Sequence, residues 1–231
     1  MKYLILVSSA LIATACSHKT IADGKSAVRE STNTPFKSCP DDSERMKLRS
    51  DELQEIVKAD QADRQPPISK IDWNKVMPAD EARAKRVAEI FAEGCFKEAK
   101  DYAAAALVFQ HGTVPDHYYQ AYLWSKKALE LGDEKQKLMI ANTVDRYLIN
   151  LGYKQLFGAQ SFGNGPNGCH CIAPVETKFS DKLRMKISGR TLNNRLESLR
   201  ESNKGNPACS KVVYCDKDLK TPPKGLFPGI W

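Results

Sequence analysis

Four glycines, Gly94, Gly112, Gly132 and Gly152, punctuate the middle of the chain at nearly equal spacing, each after a stretch of helical periodicity. They constrain the fold more than any other feature. Glycine just past the last periodic residue ends a helix, and helices of this length joined by short loops pack as antiparallel neighbours. Ala99, Tyr102, Ala103, Ala106, Leu107 and Gln110 recur at i, i+3, i+4, i+7, i+8 and i+11, a spacing with no competing strand pattern. Tyr118, Ala121, Tyr122, Ser125, Ala128 and Leu129 form the next stripe, opened by Pro115 and Asp116. Ile140, Val144, Tyr147, Leu148 and Leu151 form the one after it. Upstream, Pro40-Asp41-Asp42 opens a helix that ends near Arg64, because Pro66-Pro67 cannot continue it. Trp73 falls in a short loop, and Pro78 opens a helix with Val87, Ile90 and Phe91 on one face. The expected architecture is mainly α: an antiparallel bundle of about five helices followed by a disulfide-pinned, irregular C-terminal segment.

That last segment changes character at residue 158. Gly, Asn, Pro and two Cys dominate residues 158–179, which read as an ordered loop. A helical turn or two follows from Ser180, then a helix over 190–202 with Leu192, Leu196 and Leu199 inward. Val212-Val213-Tyr214 is strand-like, and the apolar ending Phe227 to Trp231 is expected to pack on the core.

The N-terminus reads as an address. One Lys, an apolar run and small residues precede Cys16, a pattern too short for a membrane anchor and typical of an export signal. Ala13-Thr14-Ala15-Cys16 resembles the lipobox of bacterial lipoproteins, with Ala13 where Leu is usual. The resemblance implies cleavage before Cys16, which is diacylated and becomes the new N-terminus. Several acyl chains hold a protein on a bilayer where one does not. Ser17 is not the Asp that commonly retains lipoproteins in the inner membrane, so the implied address is the outer membrane, facing the periplasm. Ordinary cleavage after Ala15, leaving a free Cys16, is the alternative. Residues 16–38, rich in Ser, Thr, Lys and Ala, then form a tether. The helical core spans 39–160, and a Cys-containing extension packed on it spans 161–231.

Of the seven Cys, six remain beyond Cys16: Cys39, Cys95, Cys169, Cys171, Cys209 and Cys215. An even set in an exported chain points to disulfides. Six Cys allow about 15 pairings. The close doublets favour Cys169 and Cys171 bridging to Cys209 and Cys215, with Cys39 bridging to Cys95. Cys169-His170-Cys171 lacks the C-x2-C spacing of a zinc site, so no metal is expected.

Composition excludes several classes. A chain of 231 residues, 42% hydrophobic, can build one domain with a real core, and no apolar run reaches the roughly 18 residues of a membrane-spanning helix. The net charge is +7, and the 15-residue export signal carries one Lys and no acid, so +6 stays on the rest. These charges lie in mixed-sign segments such as 197–204, which together with export argues against nucleic acid as a partner and for anionic membrane or envelope polymers. No P-loop, dinucleotide fingerprint, H-E-x-x-H or G-x-S-x-G occurs, and no cofactor is expected.

Two resemblances cover the middle. Ala99 to Gly132 is similar to one Sel1-type or tetratricopeptide helical hairpin, a local likeness because a solenoid needs three or more repeats. More broadly, Asp60-Gln61-Ala62-Asp63-Arg64, Trp73, Gln110-His111, Asp145-Arg146 and the run from Gly152 to Gln160 occur in this order. They resemble an uncharacterised bacterial family with D-x-x-D-R, Q-H, D-R and G-x-x-Q-x-x-G-T-Q motifs, over roughly residues 50–200. Ala159 stands where that family has Thr, and Cys95-Phe96 where a Gly-Trp-Pro element is usual. The resemblance implies a fold and a set of residues to inspect, but no activity.

Those residues have two readings each. His111 can act as a general base, with Asp145 or Asp63 orienting it, or simply cap the carbonyls at a helix end. Arg146 can clamp a carboxylate or phosphate, or pair with Asp60 or Asp63 in an ion network fixing three helices, and Asp60, Asp63 and Arg64 are themselves candidate binding residues. Gln110, Gln155 and Gln160 supply donors and acceptors, and with His111 would make a polar pocket at one end of the bundle. Three functions follow: a membrane-anchored binding or interaction module with an envelope protein partner, a hydrolase-like enzyme using His111 with Asp145 and Arg146, or an immunity-type inhibitor of a secreted toxin. The address itself is testable: Cys16→Ser abolishes incorporation of radiolabelled palmitate and leaves the uncleaved precursor on a gel, whereas equal labelling refutes the lipobox.

Overall fold

The computed structural model describes residues 38–163 and 168–231. The expected export signal over 1–15, Cys16 and all of the expected tether but residue 38 lie outside the described residues. Helices α1 (Ser43–Ala62), α2 (Trp73–Ala92), α3 (Ala99–Phe109), α4 (Pro115–Glu130) and α5 (Gln136–Asn150) come first. Strands β1 (Ser161–Phe162) and β2 (Cys171–Ile172), then α6 (Asp181–Ser188) and α7 (Leu192–Ser202), complete the order. The protein is mainly helical, with one antiparallel two-stranded ladder among the described residues. The described residues form a single unit, with the C-terminal extension packed on the core.

The glycine punctuation has two physical origins. Gly94, Gly132 and Gly152 have φ of 73°, 100° and 78°, the left-handed conformation that closes a helix. Gly112 is needed for space instead: a Cβ there would lie 2.1 Å from Nδ1 of His117. The start of α2 differs from the expectation. The helix begins at Trp73, because the Asp72 carboxylate accepts from the Asn74 N–H at 3.2 Å and caps it. Pro78 lies inside the helix on an exposed position, where its missing N–H costs one bond. Leu151, expected inward, is exposed just past α5, while Trp124, absent from the expected stripe, is buried.

Two main clusters make the core. In the first, Leu53 of α1, Val87 and Ile90 of α2, and Ala104 to Ala106 of α3 pack together. Trp124 meets Phe91, Phe96 and Phe109 there at ring separations of 5.3, 5.4 and 4.6 Å. The Cys39–Cys95 disulfide ties the start of α1 to the end of α2. In the second, Val144 and Leu148 of α5 pack on Leu156, Phe157, Phe179 and Phe227, and half-buried Ile230 and Trp231 pack against them, so the apolar C-terminus lies on the core. Cys169–Cys209 and Cys171–Cys215 tie the start of β2 to the C-terminal segment and fix the extension around Ile172, Val175 and Leu199.

Between the clusters, the turn after α5 is held from both sides. Asp145, fully buried, accepts from the backbone N–H groups of Leu156 at 2.7 Å, Phe157 at 3.0 Å and Ala159 at 2.8 Å. The carbonyls of the same turn accept from guanidiniums: Leu156 from Arg184 at 2.7 Å, Gly158 and Ala159 from Arg195 at 3.1 and 3.0 Å. Gln155, also buried, closes the loop by accepting from the Gln160 N–H at 2.8 Å and donating to the Gln160 and Ala173 carbonyls. Gly158 adopts φ 72°, and a Cβ there would come within 3.0 Å of Leu192.

Burial pushes the Asp145 carboxyl up to about 6, against the pull of the three N–H groups and of Arg184. The folded protein therefore keeps a proton on Asp145 that the unfolded chain releases near its ordinary 3.8. That contribution to stability is complete below 3.8 and is lost as pH rises through about 6. Asp145→Asn is expected to lower the unfolding free energy at pH 7 by about 2 kcal/mol, because its amide faces N–H donors. It should also flatten this pH-dependent fall. Urea unfolding of both proteins across pH 4–7 measures the two effects, and unchanged midpoints with an unchanged slope would refute them.

Candidate functional site

The D-x-x-D-R end of α1 interlocks with a matching D-x-x-R on α2. Asp60, its side chain fully buried, accepts from Arg64 at 3.1 Å and from Gln61 at 2.8 Å. Arg64 continues to Asp80 at 2.6 Å, and Asp80 accepts from Arg83 at 2.7 Å. Arg83 also reaches Asp63 at 2.8 Å. The result is one alternating chain of charges tying α1 to α2. Burial raises the Asp60 carboxyl, but the hydrogen bonds from His111 and Gln61 and the charge of Arg64 prevail and hold it below its ordinary value.

His111, at the end of α3, joins this chain. Its Nδ1 lies 3.0 Å from Asp60 Oδ1. Asp60 is thus the carboxylate that orients His111, not Asp145 or Asp63. Asp145 is sealed beneath the turn after α5, and Asp63 is taken by Arg83. The pairing has a simple cause: α1 packs directly against α3, which brings Asp60 under the end of α3. A neutral imidazole that donates from Nδ1 to Asp60 leaves the lone pair of Nε2 available as a base.

Arg146 follows a different logic. It sits one residue from Asp145 on α5, so the helix turns it onto another face. It donates to the backbone carbonyl of Gln110 and, at 3.4 Å, to Oε1 of Gln160, and its Cζ lies 5.8 Å from the Tyr118 ring centroid. Among the described residues no carboxylate pairs with it, which separates it from Arg64 and Arg83. Burial and the nearby Arg64 hold its pKa below the ordinary guanidinium value, yet a guanidinium remains charged across the working range of proteins.

His111, Arg64, Arg146 and Gln160 converge on an open cleft of about 450 Å³. Trp73, Met77 and Asp80 of α2, Tyr118 of α4, Asn150 of α5 and Phe162 of β1 also line it. Of the residues singled out in the sequence, Asp60 stands directly behind this wall. Gln110 contributes its main chain, and Gln155 and Asp145 build the turn that carries Gln160. Asp80, Arg83, Met77 and Asn150 were not foreseen. The repeated acid-and-Arg spacing on α1 and α2 is the one sequence signal that could have exposed Asp80 and Arg83.

The cysteines sit elsewhere. Cys169 and Cys171 are both in disulfides, so their sulfurs are not thiolate ligands, and His170 between them is exposed. Cys39, Glu93 and Cys95 cluster with potential ligand atoms within 4.8 Å of one another. There too the sulfurs form a disulfide, and Glu93 accepts from Arg45 and Arg49 at 2.9 and 2.8 Å.

Comparison with family models, with curated proteins and with solved structures found no match to this chain.

The ion chain behind the cleft makes a graded prediction. Asp60→Ala leaves His111 without its buried carboxylate and Arg64 with Asp80 alone, and should cost about 3 kcal/mol of unfolding free energy. Asp63→Ala, at a partly exposed pair, should cost under about 1 kcal/mol. Denaturant titration of the two variants tests the ranking, and equal losses would contradict it.

Proposed function

We propose that this protein is a lipid-anchored protein of the bacterial envelope whose helical domain is a binding module for an anionic ligand. The anchor rests on the lipobox resemblance at Cys16, and three disulfides in the domain fit an oxidising compartment. One observation carries the binding reading: Arg146 of α5, held by main-chain and amide acceptors, lines an open cleft and pairs with no carboxylate among the described residues, the Asp80 carboxylate of the same cleft being taken by Arg64 and Arg83. A largely buried cation is costly unless paired, and a guanidinium offers planar, charge-assisted donors to a carboxylate or phosphate. His111, when protonated, adds a donor on the same wall.

The Asp60–His111 pair supports a second, hydrolytic reading, with Nε2 of His111 as base and Arg146 stabilising developing negative charge. In this version Asp60 takes the orienting role expected of Asp145 or Asp63.

A ligand that binds only the native state raises its melting temperature by mass action. Citrate at fixed ionic strength should therefore stabilise the protein in differential scanning calorimetry relative to chloride. In Arg146→Gln that increment should fall at least tenfold in apparent affinity, while His111→Ala keeps most of it. Equal citrate stabilisation of Arg146→Gln and the parent would refute the binding reading.

A further inference from the structure

The cleft offers more than positive charge. Trp73 is 43% exposed and Met77 is 53% exposed, and they stand one turn apart on α2 at its mouth. Phe162 of β1 also lines it. Apolar side chains gathered at a cleft and rimmed by polar groups mark a contact surface, and an indole gives a flat apolar face of large area.

Polar groups with unused hydrogen-bonding capacity alternate around this apolar surface. Asn150 donates from Nδ2 to the Arg146 carbonyl, leaving Oδ1 unpaired among the described residues. The Tyr118 hydroxyl donates to the Gly112 carbonyl at 2.6 Å and keeps a lone pair. Ser161 is exposed, and Nε2 of His111 has no partner among the described residues. Donors and acceptors are thus interleaved on a wall that holds Arg146, which unlike Arg64 pairs with no carboxylate among the described residues. An aromatic carboxylate would use Trp73 and Arg146 and leave the other groups without partners. A polyol uses them all, because each hydroxyl both donates and accepts. A cleft of about 450 Å³ is in the size range of small-molecule sites.

We infer that the ligand of this cleft is an acidic sugar, a pyranose bearing a carboxylate, with its C–H face on Trp73, its carboxylate on Arg146, and its hydroxyls on Asn150, Ser161 and Tyr118. The inference rests on the anion-binding reading of the same cleft and narrows it to one ligand class.

The test is calorimetric titration of the full chain with trigalacturonic acid, maltotriose and acetate. Trigalacturonic acid should bind at least tenfold more tightly than either of the others. Trp73→Ala, an exposed position, should weaken the acidic trisaccharide about tenfold and leave acetate unchanged, and Arg146→Gln should weaken both anions. Equal affinity for trigalacturonic acid and acetate, unaltered by Trp73→Ala, would overturn the sugar assignment and leave the anion site standing. Maltotriose binding as tightly as trigalacturonic acid would overturn the requirement for an acid. Binding of neither anion would overturn both the inference and the reading beneath it.

Discussion

The carboxylate of Asp145 organises the second half of the molecule. It gathers three backbone N–H groups of the turn after α5, while Arg184 and Arg195 take the carbonyls of that turn from the opposite side. A buried turn has no water to satisfy its peptide groups, so each must find a protein partner. Here one acid and two guanidiniums meet most of that need. The consequences spread outward: Leu156 and Phe157 are delivered to the core, and α6 and α7 are docked through their arginines. Gln160 is placed where it can receive Arg146.

The first half is held differently, by an alternating chain of acids and arginines between α1 and α2 that His111 extends to α3. Each charge in it has an opposite neighbour, which is the condition for tolerating charge near a core. Arg146 breaks that pattern at the line where the two halves meet. Its acceptors are a carbonyl and an amide oxygen, enough to position the guanidinium and too little to neutralise it. An incomplete charge balance at an open cleft is what distinguishes this wall from the purely structural ion pairs nearby.

Much of the helical frame was legible because apolar periodicity and glycine are local signals. Pro115 at the start of α4 and Gly132 and Gly152 after α4 and α5 mark ends that each depend on a few neighbouring residues. The start of α2 was misread because Pro78 is a prominent signal, whereas the Asp72 cap that sets the true start is a quiet one. The site was legible in its members and not in its pairings. Asp145 and Arg146 are adjacent letters, yet the helix sends one into the core and the other to the cleft. His111 and Asp60 are far apart in the chain and meet only because α1 packs on α3. The doublets Cys169/Cys171 and Cys209/Cys215 were expected to bridge each other, but which sulfur meets which was settled by the fold.

The clamp on the turn has an evolutionary side. Asp145 grips N–H groups, which every residue except proline brings, and Arg146 is steadied by the carbonyl of Gln110, which every residue brings. Identities at 110, 156, 157 and 159 can therefore drift, limited by packing alone, without dismantling the cleft. Descendants of such a fold would keep the geometry while their letters diverge. What would persist longest is the pair of neighbours on α5, one acid facing in and one base facing out.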